Sequence, residues 1–203
     1  GPERPIIVVG APLEGLEKLI SKEPELTFEA IVAHNGLIDR PERSEIIETL
    51  SNHLAPDGVV SLGENVPRLT QRLHELVDLS SLDKELSDRV VEAEESIYES
   101  STDPLVTWTP EDLTKAFESA GFDVMTELAP LHRELRVSRS FIKRWFEPER
   151  GEGERLSYAD HLAKQLSPEE LDQVKRLFTR QLLDRRINWT AQVLYLLATK
   201  KRS

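Results

Sequence analysis

Residues 34–39, His-Asn-Gly-Leu-Ile-Asp, hold the densest set of groups able to meet a ligand: the His34 imidazole, the Asn35 carboxamide, the bare backbone of Gly36 and the Asp39 carboxylate. They follow a short apolar run, residues 30–33, that reads as a buried parallel strand reaching the edge of its sheet. In open α/β sheets that edge is where ligands sit. The same residues also have structural uses, Asn35 and Gly36 as turn formers and Asp39 as a helix cap. A second constellation lies further on. Arg133, Arg136, Arg139, Lys143 and Arg144 stand beside Trp145 and Phe146, with Glu134 the one acid in residues 133–146. Such an island can grip phosphate or an acidic partner, with Arg136, Arg139, Lys143, Arg144 and Trp145 as the candidate contacts. The alternative is a solvated cationic helix face over buried aromatics.

Other chemistry is excluded by composition. The chain has no cysteine, so disulfides, thiolate metal sites and cysteine nucleophiles are ruled out. No two of the five histidines stand four residues apart, and no carboxylate spacing argues for a metal. The net charge of -11 disfavours direct nucleic-acid binding. Trp108 and Trp189 read as core anchors rather than stacking platforms, and Glu92, Glu94, Glu95 and Glu99 as a solvated helix face. No apolar run approaches the roughly 20 residues of a membrane span, and the start lacks the basic-then-apolar layout of a signal peptide, so a soluble cytoplasmic protein is expected. With 203 residues, one domain over residues 1–203 is the expectation.

The elements that must position these groups alternate. Residues 5–10 (PIIVVG) read as a strand, Leu13, Leu16, Leu19 and Ile20 as a helix, and residues 30–33 as the next strand. Asp39 is placed as the cap of a helix whose stripe is Ile46, Ile47, Leu50 and Leu54. Ala55-Pro56-Asp57-Gly58 suits a tight turn before a strand over residues 59–62. Helical spacing then continues through Val66, Leu69, Leu73, Leu76 and Val77, and again through Leu82, Leu86, Val90, Ala93 and Ile97, with Ser80 and Asp83 as a capping pair between them. Thr109-Pro110 opens a further helix that Gly121 ends, and residues 122–128 alternate as a half-exposed strand near a sheet edge. Residues 138–186 read as a helical insertion, closed in its first part by Pro148 and reopened by Ser167-Pro168. Residues 191–199 read as the last strand.

This order, with Leu54-Ala55-Pro56-Asp57-Gly58 at the turn and a Gly-Phe-Asp-Val strand start at residues 121–124, resembles the later half of a class I S-adenosylmethionine-dependent methyltransferase. Residues 72–113, with residues 121–124 and 141–146, are similar to something narrower: the methyltransferase-like domain fused behind the AAA+ ATPase of cyanobacterial replication-associated recombination factors. The resemblance implies a Rossmann-like α/β methyltransferase fold lacking its first two strands, with the helical insertion before its last strand. Residues 6–10, 30–33 and 59–62 then match the third, fourth and fifth strands. The glycine-rich cofactor turn goes with the missing strands. On this resemblance no cofactor is expected for the chain itself, and S-adenosylmethionine only if the fold is completed upstream, in which case His34, Asn35, Gly36 and Asp39 hold the positions of cofactor contacts. It further implies an accessory, non-catalytic C-terminal domain presenting a binding or regulatory surface. Its partners would be the AAA+ module of the same polypeptide and proteins of the replication machinery. The alternative is a methyltransferase whose cofactor loop lies upstream.

Overall fold

The computed structural model describes residues 12–147 and 156–201; the strand expected over residues 5–10 and the helix-ending Pro148 lie outside the described residues. Along the chain α1 (Pro12–Ile20) leads into β1 (Phe28–His34), α2 (Arg43–Asn52) and β2 (Leu54–Asn65). Then come α3 (Lys84–Tyr98), α4 (Pro110–Ser119) and β3 (Phe122–Arg136). Helices α5 (Arg139–Phe146), α6 (Tyr158–Leu162) and α7 (Pro168–Leu182) precede β4 (Arg186–Lys200). The four strands form one sheet of order β1-β2-β4-β3, with β1 and β2 parallel and β4 antiparallel to β2. The Lys201 N–H donates to the Gly121 carbonyl and the Val137 N–H to the Arg185 carbonyl, as antiparallel neighbours require, so β3 and β4 run opposite ways. Among the described residues the chain divides into two compact units, 12–65, 108–129 and 193–201 in one and 66–107, 130–147 and 156–192 in the other.

In the first unit, strand alternation sorts the sheet into two faces. Val60, Leu62 and Glu64 of β2 stand in register with Ala198, Leu196 and Leu194 of β4, and all six are buried. Ile46 and Ile47 of α2 and Leu113 and Phe117 of α4 are buried with them, each contributing about 1.5–3 kcal/mol. Thr109 and Asp112 close the capping box that starts α4, and Gly121, at φ 89°, turns the chain into Phe122, whose ring meets Phe117 edge-on at 5.4 Å.

The alternate positions lie open. Val32 of β1 pairs with Ser61, which pairs with Leu197; Val32 is 78% and Leu197 39% exposed. The run 30–33 is therefore parallel but not buried on both faces. Only Ile31 and Ala33 are half-buried, because among the described residues β1 is bonded to β2 alone and is the last strand of the order.

Two boundaries also differ from expectation. α2 stops at Asn52, and Leu54 already pairs with Phe28, so the register jumps to Ala30–Val59 and residues 55–58 bulge out of β2 instead of forming a turn ahead of it. Asp57 sits at φ 62° inside that bulge. At its start, α2 takes Glu42, not Asp39, as N-cap, with no side-chain cap bond.

The second unit corrects a larger expectation. Residues 66–82 are not an α-helix but three short 3-10 turns, Pro67–Leu69, His74–Leu76 and Leu79–Ser81. Side-chain oxygens have taken amides that a helical ladder needs. Glu94 accepts from Leu73 and His74, Gln181 from Asp78, and Asp78 from Ser80. Four of the segment's leucines, Leu73, Leu76, Leu79 and Leu82, still pack on the core to which Leu86, Val90, Phe146, Tyr158 and Phe178 belong, while Leu69 is exposed. Asp83, not Ser80, caps α3 through the Leu86 N–H. The helical insertion is present as α5, α6 and α7, and Phe146 and Phe178 meet edge-on at 5.3 Å within it. Among the described residues no helix is long and apolar enough to cross a membrane.

Candidate functional site

The polar cluster at the end of β1 is a loop clamped from both sides of its backbone. Asn35 adopts φ 53°, a left-handed turn that asparagine tolerates, and its Oδ1 accepts the Asn65 N–H at 2.9 Å and the Asn65 side-chain amide at 3.0 Å. Glu64 Oε1 accepts the N–H groups of Gly36 at 2.8 Å and Leu37 at 3.2 Å. The carbonyls face Arg43 and Trp108: Arg43 Nε donates to Leu37 O at 2.7 Å, Arg43 Nη2 to Ile38 O at 2.8 Å, and Trp108 Nε1 to Ile38 O at 3.0 Å. The Arg43 guanidinium lies 5.5 Å from the centre of the Trp108 ring. Trp108 is buried, as a core anchor should be.

Glu64 is fully buried, and its Oε2 has no hydrogen-bond partner among the described residues. Burial pushes its carboxyl pKa up, against the opposing pull of the Leu37 and Gly36 amides, His34 and Arg43. Burial likewise draws the Arg43 guanidinium down, opposed by Glu64, Asp39 and Glu42. Sequence reasoning missed both residues. The signal for Glu64 was available: with Val60 and Leu62 it occupies every second position, which puts a charge on the buried side of a strand.

His34, Asn35, Gly36 and Asp39 are thus together in the first unit, but unequal. His34 and Asp39 are exposed, and Asp39 pairs with Arg40 at 3.4 Å. Asn35 and Gly36 spend polar groups on Gly63, Glu64 and Asn65 of β2. Of the groups that the resemblance assigns to S-adenosylmethionine, the Gly36 amide and the Asn35 oxygen already have protein partners, as does the neighbouring Leu37 amide, so these groups do not fit as open contacts to that cofactor.

The basic residues belong to the second unit. Arg133 and Arg136 are on β3, and Arg139, Lys143 and Arg144 on α5, so the island is a strand end followed by a helix rather than one helix face. Trp145 is half-buried against Phe178, ring centres 6.3 Å apart. The acidic run on α3 also corrects the sequence reading. Glu94 is fully buried and accepts from Leu73, His74 and Tyr158, while Glu95 pairs with Arg72 at 2.9 Å. Among the described residues no group of histidines and carboxylates is placed to hold a metal ion.

The sheet, with a helical crossover between parallel strands and an antiparallel last strand inserted between β2 and β3, is an open mixed α/β sheet of the kind that the resemblance to a partial Rossmann-like fold implies. Comparison with solved structures returns BH2331 of Bacillus halodurans, a proposed methyltransferase, at 12% identity and TM-score 0.42, covering 88% of this chain and 66% of that one. It also returns YcgJ of Bacillus subtilis, at 12% identity and TM-score 0.45, covering 95% and 81%. Phosphoethanolamine N-methyltransferase 2 of Haemonchus contortus, solved with phosphomonomethylethanolamine and S-adenosylhomocysteine, follows at 11% identity and TM-score 0.35, covering 86% and 34%. This chain therefore spans less than two thirds of the first and about a third of the last. No family profile matches the sequence, and no curated protein matches it.

Proposed function

We propose that the chain is an accessory, non-catalytic methyltransferase-like domain that offers a binding or regulatory surface, carried behind a AAA+ ATPase module in one polypeptide and acting with proteins of the replication machinery. The observation that carries the non-catalytic part is the closure of the loop at the end of β1. The Gly36 and Leu37 amides end on Glu64, the Leu37 and Ile38 carbonyls on Arg43 and Trp108, and the Asn35 carboxamide oxygen on Asn65, so the loop is built as structure rather than as an open ligand wall. The ATPase linkage rests on the sequence resemblance alone.

Two measurements test the reading. Titration calorimetry of this chain with S-adenosylmethionine is expected to show no micromolar binding; such binding, lost in Asn35→Ala, overturns it. An antibody raised against the chain is expected to detect, in source cells, a polypeptide well above 23.1 kDa. A sole band at that size removes the ATPase fusion.

A further inference from the structure

The structure extends the basic island with residues about fifty positions away. The Val137 N–H donates to Arg185 O at 2.9 Å and the Asp184 N–H to Val137 O at 2.8 Å, a two-bond clasp that sets Arg185 and Arg186 beside Arg136 and Arg139. Residues 133–144 and 184–186 together carry seven cationic side chains against two acids, Glu134 and Asp184, in a chain of net charge -11. Both acids are spent inside the patch, Asp184 on Arg136 at 3.1 Å and Glu134 on Arg186 at 2.7 Å. These pairs are solvent-exposed, so they exchange partners at little cost. Arg133, Arg139 and Arg185 are exposed and have no carboxylate partner among the described residues.

We propose that this patch, centred on Arg136, Arg139, Arg185 and Arg186, is the docking site for a carboxylate-rich segment of a protein partner. This rests on the reading of the domain as a binding surface and names the chemistry of what it binds. Six of the seven cations are arginines, whose planar forks engage carboxylates two bonds at a time. Charge alone would also suit phosphate, but two observations favour the peptide. The aromatic side chains beside the arginines face inward, Trp145 against Phe178 and Phe141 against Trp145, so no stacking platform for bases is offered. A nucleic acid also runs on past the patch, and the rest of the chain is strongly acidic, which disfavours a long polyanion wherever it comes within a Debye length of about 10 Å. A short acidic segment ends where the arginines end.

Fluorescence anisotropy with labelled polyglutamate and with oligothymidine of matched length tests this, on the full chain and on the double variant Arg139→Glu with Arg185→Glu. Both positions are exposed, and thermal melting is expected to confirm that the variant folds. The expected result is polyglutamate binding that falls about tenfold or more in the double variant and on raising salt, with Lys115→Glu in the other unit leaving it unchanged. Absent binding, an equal loss in Lys115→Glu, or preference for oligothymidine overturns the proposal. So does self-association in the ultracentrifuge that the double variant abolishes, since the occupant would then be a second copy. Any of these outcomes leaves the calorimetric test of the non-catalytic reading untouched.

Discussion

The Tyr158 hydroxyl donates to the Glu94 carboxylate at 2.9 Å, joining residues 64 positions apart in the middle of the second unit. The same carboxylate accepts the Leu73 and His74 amides and stands 3.0 Å from His74 Nδ1. It is thus the fastener that holds an irregular segment, residues 66–82, to α3 and α6. Replacing Glu94 with alanine strands all of these buried donors and is expected to cost about 3–5 kcal/mol in urea denaturation. Tyr158→Phe removes one bond to the carboxylate and is expected to cost about 1.5–3 kcal/mol. Equal stability of Glu94→Ala and the parent would contradict the assignment.

This fastener also shows what the sequence concealed. Periodicity made α3 legible, and strictly applied it places Glu94 four residues after Val90, on the buried stripe; a run of four nearby glutamates drew the eye to solvent instead. Local capping signals at Thr109 and Ser167 were fully legible because both partners lie within three residues. Residues 66–82 were not, since their apolar spacing is compatible with a helix while their amides end on Glu94 and Gln181, which no local pattern exposes. At the candidate site the loop residues were visible, but the partners that close it, Glu64 and Arg43, are assembled only by the fold.

The His74–Glu94 contact makes stability depend on pH. The hydrogen bond to Glu94 holds the His74 pKa above its usual 6.5, reinforced by the charges of Glu94, Glu75 and Glu95 and opposed by burial. A folded pKa above the unfolded one stabilises fully below the unfolded value and is lost as pH rises through the folded value. The urea midpoint is therefore expected to fall from about pH 6.5 upward, and His74→Gln to flatten that slope. Glu170 acts at the other end. Held down to about 2, chiefly by Arg89, it stabilises above its unfolded value and its contribution is lost as pH falls toward the folded one. A midpoint in His74→Gln that still follows the parent's alkaline slope would assign that slope elsewhere.

Glu64 separates the role of an acceptor from that of a charge. Glu64→Gln keeps the oxygen that takes the Gly36 and Leu37 amides and removes a buried carboxyl whose raised pKa makes ionisation costly. At neutral pH its stability is expected to lie within about 1 kcal/mol of the parent. Glu64→Ala leaves both amides unpaired and is expected to cost about 2–4 kcal/mol, with faster hydrogen exchange at Gly36 and Leu37. Unchanged exchange in Glu64→Ala would mean that Glu64 does not hold the loop.

Gly58 tests the bulge that replaces the expected turn. A Cβ there would stand 2.7 Å from Leu54 Cγ, 2.8 Å from the Ala55 carbonyl oxygen and 3.1 Å from the Phe28 carbonyl oxygen. Two of these neighbours are backbone and cannot swing aside, so Gly58→Ala forces the start of β2 away from β1 and is expected to cost about 1–3 kcal/mol. Gly63, in the same strand, offers the control. Its Cβ would meet the His34 ring at 3.3 Å and the Tyr195 ring at 3.7 Å, both exposed side chains with room to move. Gly63→Ala is therefore expected to stay within about 0.5 kcal/mol of the parent in the same urea titration. A bulge with slack would let both substitutions pass alike, and that result would reject the close approach of Phe28, Leu54 and Gly58 on which the β1–β2 register depends.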